Sequence, residues 1–169
     1  MSAAVPGEEA RWDALARAAA LRREGDSERI DLRRLVSFEL AGTPYALPVE
    51  RVREIVRIRP ITPMPRVPRE VLGVVSLRGE IVQVVDARRR LGLEETPATR
   101  ASRVVVVYGG DDGVAGLLVD AVTGVLPVAE EALRPASGEA ALVESLCVQG
   151  ERFVSVLDLD RMLALDGGA

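Results

Sequence analysis

The stretch Gly73-Val74-Val75-Ser76-Leu77-Arg78-Gly79-Glu80-Ile81-Val82-Gln83-Val84-Val85-Asp86 decides how this chain folds. Two apolar runs rich in β-branched residues flank a short Arg-Gly-Glu interruption, which is the pattern of a β-hairpin. Glycine suits the interruption because it readily adopts the positive φ that tight hairpin turns require. The stretch therefore predicts a strand, a turn and a second strand, with Arg78 in the turn.

Arg78 has two interpretations at this stage. An exposed charge in a turn needs no functional explanation. A hairpin, however, holds a residue more rigidly than a mobile loop does, which suits a residue that contacts a partner. Glu54, in Val52-Arg53-Glu54-Ile55, is likewise either an ordinary exposed residue or a partner for Arg78, since arginine–carboxylate pairs orient side chains at interfaces.

The composition is that of a folded, acidic protein of 169 residues, of which 48% are hydrophobic. This length is enough for one domain or two small lobes. Aromatic residues make up only 3%, so the core has to consist of Val, Leu, Ile and Ala. The net charge of −4 provides no basic field for a phosphate backbone, and the scarcity of aromatic residues disfavours base stacking. We therefore expect no nucleic-acid partner.

The residue types also exclude most catalytic chemistry. The chain has no His, and all 22 of its Lys and Arg residues are Arg, so it has neither an imidazole base nor a lysine nucleophile. Cys147 is the single cysteine, and its apolar surroundings predict a buried structural thiol. The segment Gly109-Gly110-Asp111-Asp112-Gly113 lacks the Glu and Phe of the diguanylate cyclase signature and is typical of a turn. We expect no enzyme activity, no cofactor and no metal.

The character of the chain changes at Leu32. Residues 1–31 are predicted to be a partly helical N-terminal extension, because residues 8–24 are rich in Ala and free of Gly and Pro. The mixed Glu and Arg faces of this helix disfavour membrane binding. Residues 32–169 are predicted to form the domain. No long apolar segment or signal sequence is evident, so we expect a cytoplasmic protein without direct membrane insertion.

Short β-rich runs separated by Gly, Pro and Asp continue to Leu165, which predicts a barrel or sandwich. The four prolines of residues 60–68 predict an extended loop without regular structure. Residues 94–102 are expected to be a mobile polar linker, and residues 130–138 a loop. Between residues 49 and 59 we expect a short turn followed by a strand.

Two segments of the chain follow the same plan. Val82–Leu91 and Phe153–Leu163 each follow a Gly-Glu turn, and each consists of a β-rich run, an Asp and a short helix that closes on Leu. Asp86 and Asp158 are suitable N-caps for these helices. A unit that occurs twice predicts two similar lobes.

Several segments, in the same order, resemble the CheW-type coupling proteins of bacterial chemotaxis-like signalling. The resemblance runs from about Leu35 to Leu165, and Ser76, Gln83 and Ala87 depart from residues that are usual in the family. These departures are near the hairpin, so the choice of partner could differ. The segments that resemble the family are Phe38–Gly42 with Tyr45–Val49, Val52–Val56, Gly73–Gly79 with Val84–Arg88, Gly116–Val122 and Leu157–Leu163.

The resemblance implies an all-β fold of two intertwined five-stranded SH3-like β-barrels with short helices. It implies a non-enzymatic adaptor that joins the cytoplasmic tip of a chemoreceptor to the regulatory domain of a CheA-type histidine kinase and is recruited to receptor arrays. The family's receptor-contact and coupling positions correspond to Val52, Glu54, Gly73 and Arg78. Gly73 would permit close approach of a receptor helix, and Arg78, held by Glu54, would offer donors to it.

The alternative function is that of a CheW-like adaptor in a non-chemotaxis pathway, such as motility, development or second-messenger control, with different partners.

Overall fold

A computed structural model describes residues 14–17, 32–109, 113–136 and 142–165. The chain divides into two units, Met1–Asp31 and Leu32–Ala169. Residues 14–17 are helical, and the remainder of the helix predicted over residues 8–24 lies outside the described residues, so the N-terminal extension stays a prediction. Within the described ranges, no helix is long and apolar enough to span a bilayer.

The second unit consists of short strands and single helical turns. The strands are β1 (Leu32–Leu40), β2 (Thr43–Pro48), β3 (Val52–Arg57), β4 (Val71–Leu77), β5 (Glu80–Asp86), β6 (Arg103–Tyr108), β7 (Val114–Val119), β8 (Ala121–Ala129), β9 (Leu133–Pro135), β10 (Val143–Gln149) and β11 (Arg152–Leu157). The α-helical turns are α1 (Ala87–Arg90) and α2 (Leu159–Leu163), and two 3₁₀ turns cover Val49–Arg51 and Glu130–Ala132.

The strands form two sheets that exchange strands. The first sheet has the order β8-β1-β2-β11-β10-β9, and the second has the order β3-β6-β7-β5-β4. Each sheet joins two hairpins through one parallel pair, β2 with β11 in the first and β5 with β7 in the second. β3 follows β2 along the chain but pairs with β6, and β8 follows β7 but pairs with β1. The first sheet with α2, which follows β11, is called the first lobe below, and the second sheet with α1, which follows β5, is called the second lobe. Because the chain crosses from one sheet to the other after β2 and after β7, the two lobes are intertwined, as predicted.

The loop prediction for residues 130–138 was wrong in its first half. Residues 130–132 form a 3₁₀ turn, and β9 pairs with β10, with Leu133 opposite Cys147. A strand of three residues is too short to produce a detectable periodicity, and its pairing partner comes later in the chain. The pairing adds a sixth strand to the first sheet.

The other local predictions are largely confirmed. The β4–β5 hairpin turns at Arg78 and Gly79, whose φ values of 51° and 83° are both positive, as a two-residue type I′ turn requires. Asp86 caps α1 by accepting a hydrogen bond from the amide of Arg88, and Asp158 caps α2 by accepting one from the amide of Arg161. Residues 49–57 form the predicted turn and strand.

Two loops are more ordered than the sequence predicts. In the proline-rich segment, Thr62 pairs with Val74 through amide–carbonyl hydrogen bonds of 2.8 and 2.9 Å. In the segment 94–102, Glu95 forms ion pairs with Arg69 and Arg89. The Thr62–Val74 and Arg69–Glu95 contacts join residues that are 12 and 26 positions apart, so local sequence does not reveal them.

Each lobe has its own apolar core, and a third core joins the lobes. The first lobe buries a cluster around Leu35, Cys147 and Val156, and the second buries one around Val75 and Val84. The shared core combines residues of both sheets, namely Phe38, Leu40, Leu47, Val85, Val105, Val107, Leu117, Leu157 and Met162. Cys147 is fully buried as predicted, and burial raises the pKa of its thiol. Because the two lobes share a core, they form one packed body.

Two charged clamps join the lobes in related ways. In the first, Asp120 at the β7–β8 junction pairs with Arg88 of α1 and accepts a hydrogen bond from the amide of Ala41 in the β1–β2 turn. In the second, Arg51 at the β2–β3 junction pairs with Asp160 of α2 and donates to the carbonyl of Tyr108 at the end of β6.

A third contact between the lobes involves Arg90 of α1. Its guanidinium donates to the carbonyls of Arg161, Met162 and Ala164 at the carboxyl end of α2. The Arg161 carbonyl also accepts a hydrogen bond from the Ala164 amide. Carbonyls in the last turn of a helix generally lack intrahelical partners, and Arg90 supplies donors there. The helix of one lobe is therefore capped by a side chain of the other.

Candidate functional site

The four predicted site residues all lie in the second lobe. Val52 and Glu54 are in β3, Gly73 is in β4, and Arg78 is in the β4–β5 turn. β3 and β4 are the two edge strands of this sheet. Arg53 of β3 nevertheless donates a 2.7 Å hydrogen bond to Glu80 of β5, so the sheet curls until its edges meet. This closure is what brings Glu54 and Arg78 together.

Arg78 is presented at the tip of a tight turn. Its own φ of 51° and the φ of 83° at Gly79 fix the direction in which the chain reverses. The Arg78 side chain is 79% exposed, and Nη2 lies 3.7 Å from Oε2 of Glu54. At that distance the two charges attract one another without a hydrogen bond. The guanidinium is therefore directed by Glu54 but keeps its N–H groups available to a partner.

Glu54 lies within a row of alternating charges. Its side chain is 18% exposed, and its Oε2 lies 3.7 Å from both Arg78 and Arg53. Arg53 continues the row by its hydrogen bond to Glu80, and this bond is the main reason why the pKa of Arg53 is raised. The row Arg78–Glu54–Arg53–Glu80 thus spans the seam between β3 and the β4–β5 hairpin. Sequence reasoning identified Arg78 and Glu54 but missed Arg53 and Glu80.

A β-bulge in β3 determines how these side chains are aimed. Val52 is opposite Val107 and Glu54 is opposite Val106, so Arg53 is an extra residue in the ladder. A bulge bends its strand and changes the direction of the neighbouring side chains. Val52 is half-buried and packs against the shared core, whereas Glu54 faces the hairpin. Val52 therefore anchors the strand that positions Glu54.

Gly73 has a structural reason to be glycine that differs from the one expected. Its φ is 146°, and a Cβ at this position would lie 2.1 Å from the carbonyl oxygen of Thr62 and 2.9 Å from Cγ2 of Ile61. Gly73 is buried, so the close approach over it is made by the chain's own proline-rich segment. The expected approach of a receptor helix at Gly73 stays a prediction. Gly73 permits the Thr62–Val74 pairing that holds β4.

The site has the composition of a binding surface. Its polar groups are guanidinium and carboxylate side chains paired with one another across the seam. In the ranges that the structure describes, no group of three or more His, Cys, Asp or Glu is placed to hold a metal ion. Such an arrangement can recognise the charged and hydrogen-bonding groups of another protein.

Comparisons with known proteins agree with this fold. The family model of the CheW-like domain matches residues 34–166. The chain is 34% identical over 134 residues to a chemotaxis protein CheW of Rhizobium meliloti, covering 76% of this chain and 85% of the relative. It is 28% identical over 135 residues to a chemotaxis protein CheW of Bacillus subtilis, covering 77% of this chain and 86% of the relative.

A solved structure is similar over most of the chain. The crystal structure of the scaffolding protein TtCheW from Thermoanaerobacter tengcongensis matches with a TM-score of 0.74 and 30% identity, covering 80% of this chain and 95% of that one. The similarity in fold agrees with the similarity in sequence. The two intertwined sheets correspond to the SH3-like barrels of that fold. The chain belongs to the CheW-like family of non-enzymatic chemotaxis adaptors.

Proposed function

We propose that this adaptor joins the cytoplasmic tip of a chemoreceptor to the regulatory domain of a CheA-type histidine kinase, and that Arg78 and Glu54 form its receptor contact. The observation that supports this site is the presentation of Arg78. Its guanidinium is 79% exposed on a two-residue turn and lies 3.7 Å from Glu54 without a hydrogen bond to it. A cation on a tight turn with available donors suits the carboxylate and carbonyl groups of a receptor helix.

Val52 and Gly73 support this contact without touching the receptor. Val52 packs against the shared core and fixes the start of β3. Gly73 leaves room for the backbone of Thr62, and this pairing stabilises the strand that leads to the Arg78 turn. In this proposal, loss of either residue displaces the charged pair and weakens coupling, although Val52 is partly and Gly73 fully buried.

The kinase requires a second surface, and two equivalent side chains are candidates for it. Ile81 is the second residue of β5 and is 67% exposed, and Phe153 is the second residue of β11 and is 60% exposed. These strands occupy matching places in the two lobes. We assign the docking of the kinase regulatory domain to these positions, because each is a large apolar side chain that is more than half exposed and the two occupy matching places in the lobes.

The adaptor acts by holding its two partners in one assembly. A receptor change that alters the geometry of the bound complex shifts the equilibrium between active and inactive kinase, and the chain itself needs no chemical step. In this proposal the chain works in the cytoplasm and is recruited to receptor arrays. The similarity to chemotaxis proteins of Rhizobium meliloti and Bacillus subtilis favours a chemotaxis pathway over the alternative non-chemotaxis one.

A pull-down from native cell extract tests the proposal. The baits are wild type, Arg78→Ala and Arg134→Ala, a control that removes an exposed arginine from β9 of the other lobe. We expect wild type and Arg134→Ala to recover a chemoreceptor and a CheA-type kinase, and Arg78→Ala to recover the kinase alone. Equal receptor recovery by all three baits would remove Arg78 from the site. Recovery of neither partner by wild type would contradict the adaptor role itself.

A further inference from the structure

Three arginines converge where β3 ends and β6 begins, on a part of the second lobe that the proposed partner sites do not use. Arg57, Arg100 and Arg103 line a pocket of about 450 Å³ together with Ile58, Thr99 and Ser102. Its lining includes no carboxylate. The volume lies within the range of about 300–1,000 Å³ that is typical of small-molecule sites.

Two of these arginines, Arg57 and Arg103, carry like charges that repel each other. Arg57 and Arg103 are directly opposite each other in the β3–β6 ladder, so their side chains leave the same face of the sheet. Like charges in that relation destabilise a sheet. No ion pair to Arg57, Arg100 or Arg103 occurs among the residues that the structure describes. An anion in the pocket would offset this repulsion.

The turn that holds Arg100 and Arg103 is fixed by hydrogen bonds. Ser102, which is 6% exposed, accepts a 2.9 Å hydrogen bond from the amide of Thr99, and its own amide donates to the carbonyl of Thr99. The Arg103 guanidinium donates to the carbonyls of Arg100 and Ser102 at 2.7 and 2.8 Å. The backbone beside the pocket is therefore ordered before any ligand arrives, which lowers the entropic cost of binding.

We propose that the pocket formed by Arg57, Arg100 and Arg103 binds the phosphate groups of a small soluble molecule. Three guanidinium groups on separate backbone positions present N–H donors from several directions, and Arg103 contributes Nε and Nη2 because its hydrogen bonds to the backbone carbonyls use Nη1. A phosphate offers three acceptor oxygens and two negative charges, and a diphosphate offers more, whereas a planar carboxylate offers two oxygens in one plane. The pocket therefore favours phosphate over carboxylate. This inference is independent of the receptor contact at Arg78.

Calorimetric titration of the full chain tests the pocket, with pyrophosphate, inorganic phosphate and succinate as probes at constant ionic strength. Arg57→Gln is the principal variant because the Arg57 side chain forms no hydrogen bond or ion pair among the described residues, so the substitution removes a charge without breaking a side-chain contact. Arg100→Gln is the second. Arg134→Gln is the matched control, since it removes an exposed arginine from β9 outside the pocket.

We expect wild type to bind pyrophosphate more tightly than phosphate and to bind succinate weakest. Arg57→Gln and Arg100→Gln should each weaken pyrophosphate binding by about tenfold or more, while Arg134→Gln changes it by less than about twofold. Without ligand, Arg57→Gln should be at least as stable as wild type at low salt, because one member of the repulsive pair is gone. Absence of saturable pyrophosphate binding, equal loss in Arg134→Gln, or succinate binding as tight as that of pyrophosphate would each overturn the assignment.

Discussion

Replacing Gly73 with Ala should destabilise the protein far more than the same substitution at a glycine in an exposed turn. The added Cβ would lie 2.1 Å from the carbonyl oxygen and 2.7 Å from the carbonyl carbon of Thr62, and both of these atoms are backbone. Backbone cannot rotate away as a side chain can. The chain can accommodate the methyl group only by moving the proline-rich segment off β4.

The cost of this substitution has two parts. A non-glycine residue at a φ of 146° is strained by about 1–3 kcal/mol. Displacing Thr62 also breaks its two hydrogen bonds with Val74, each of which contributes about 0.5–1.5 kcal/mol. The sum is about 2–6 kcal/mol, which is a large share of the stability of a typical domain.

Chemical denaturation of wild type, Gly73→Ala and Gly79→Ala measures this difference. Gly79 also has a positive φ, 83°, but a Cβ there meets nothing within 4 Å, so its replacement should cost only about 1–2 kcal/mol. An equal loss of unfolding free energy in the two variants would refute the argument from the Thr62 contact. So would a Gly73→Ala variant with wild-type stability that still fails to bind a receptor, because Gly73 would then act by direct contact.

The remaining predictions concern the clamps and the kinase surface. Arg88→Ala should lower the unfolding free energy by about 2–3 kcal/mol in denaturant titrations, because the Arg88 side chain is only 13% exposed and pairs with Asp120. Burial alone would raise the pKa of Asp120, but hydrogen bonds from Arg88 and from the Ala41 amide lower this pKa overall. The unfolding free energy of wild type should therefore decrease as the pH falls below about 4, and that of Arg88→Ala should decrease less. Arg90→Met should cost about 1–2 kcal/mol by the same measurement, since it removes the Arg90 donor from the carbonyls of Met162 and Ala164 at the end of α2. Ile81→Ser should weaken kinase binding about tenfold in a titration and leave stability unchanged, and unaltered binding would remove Ile81 from the kinase surface.

Local features of the fold could be predicted because the responsible residues are neighbours in the sequence. The β4–β5 hairpin follows from a glycine between two β-branched runs, and the caps at Asp86 and Asp158 follow from an acidic residue directly before a helical turn. The pairing of Glu54 with Arg78 is one of two interpretations that the residues allow and the one that the family resemblance implies, and Nη2 of Arg78 lies 3.7 Å from Oε2 of Glu54. Their assignment as a receptor contact stays a prediction.

Features that depend on distant residues could not be predicted in this way. Arg51 and Asp160 are 109 positions apart, and no pattern along the chain relates them. The Thr62–Val74 pairing lies in a proline-rich segment whose composition predicts irregular structure. The convergence of Arg57 with the turn at residues 99–103 depends on the β3–β6 register, which is fixed only when the sheets exchange strands. In each case the contact depends on how the strands pair in the two sheets, which cannot be derived from neighbouring residues in the sequence.

The two clamps reveal how the repeated unit is used. Arg88 and Asp160 occupy equivalent positions two residues after the cap of their helix, and Asp120 and Arg51 occupy equivalent junctions between the lobes. The same pair is therefore made twice with its charges reversed. A search for repeated residue types could not find this pair, because the repeat preserves the contact and not the charge.

The exposed fractions of the side chains in the two pairs also differ. They are 13% and 29% for Arg88 and Asp120, and 31% and 76% for Arg51 and Asp160. Since solvent weakens an exposed ion pair, the clamp at Asp120 contributes more to joining the lobes, and it holds them at the end of β7 opposite the turn that begins β2.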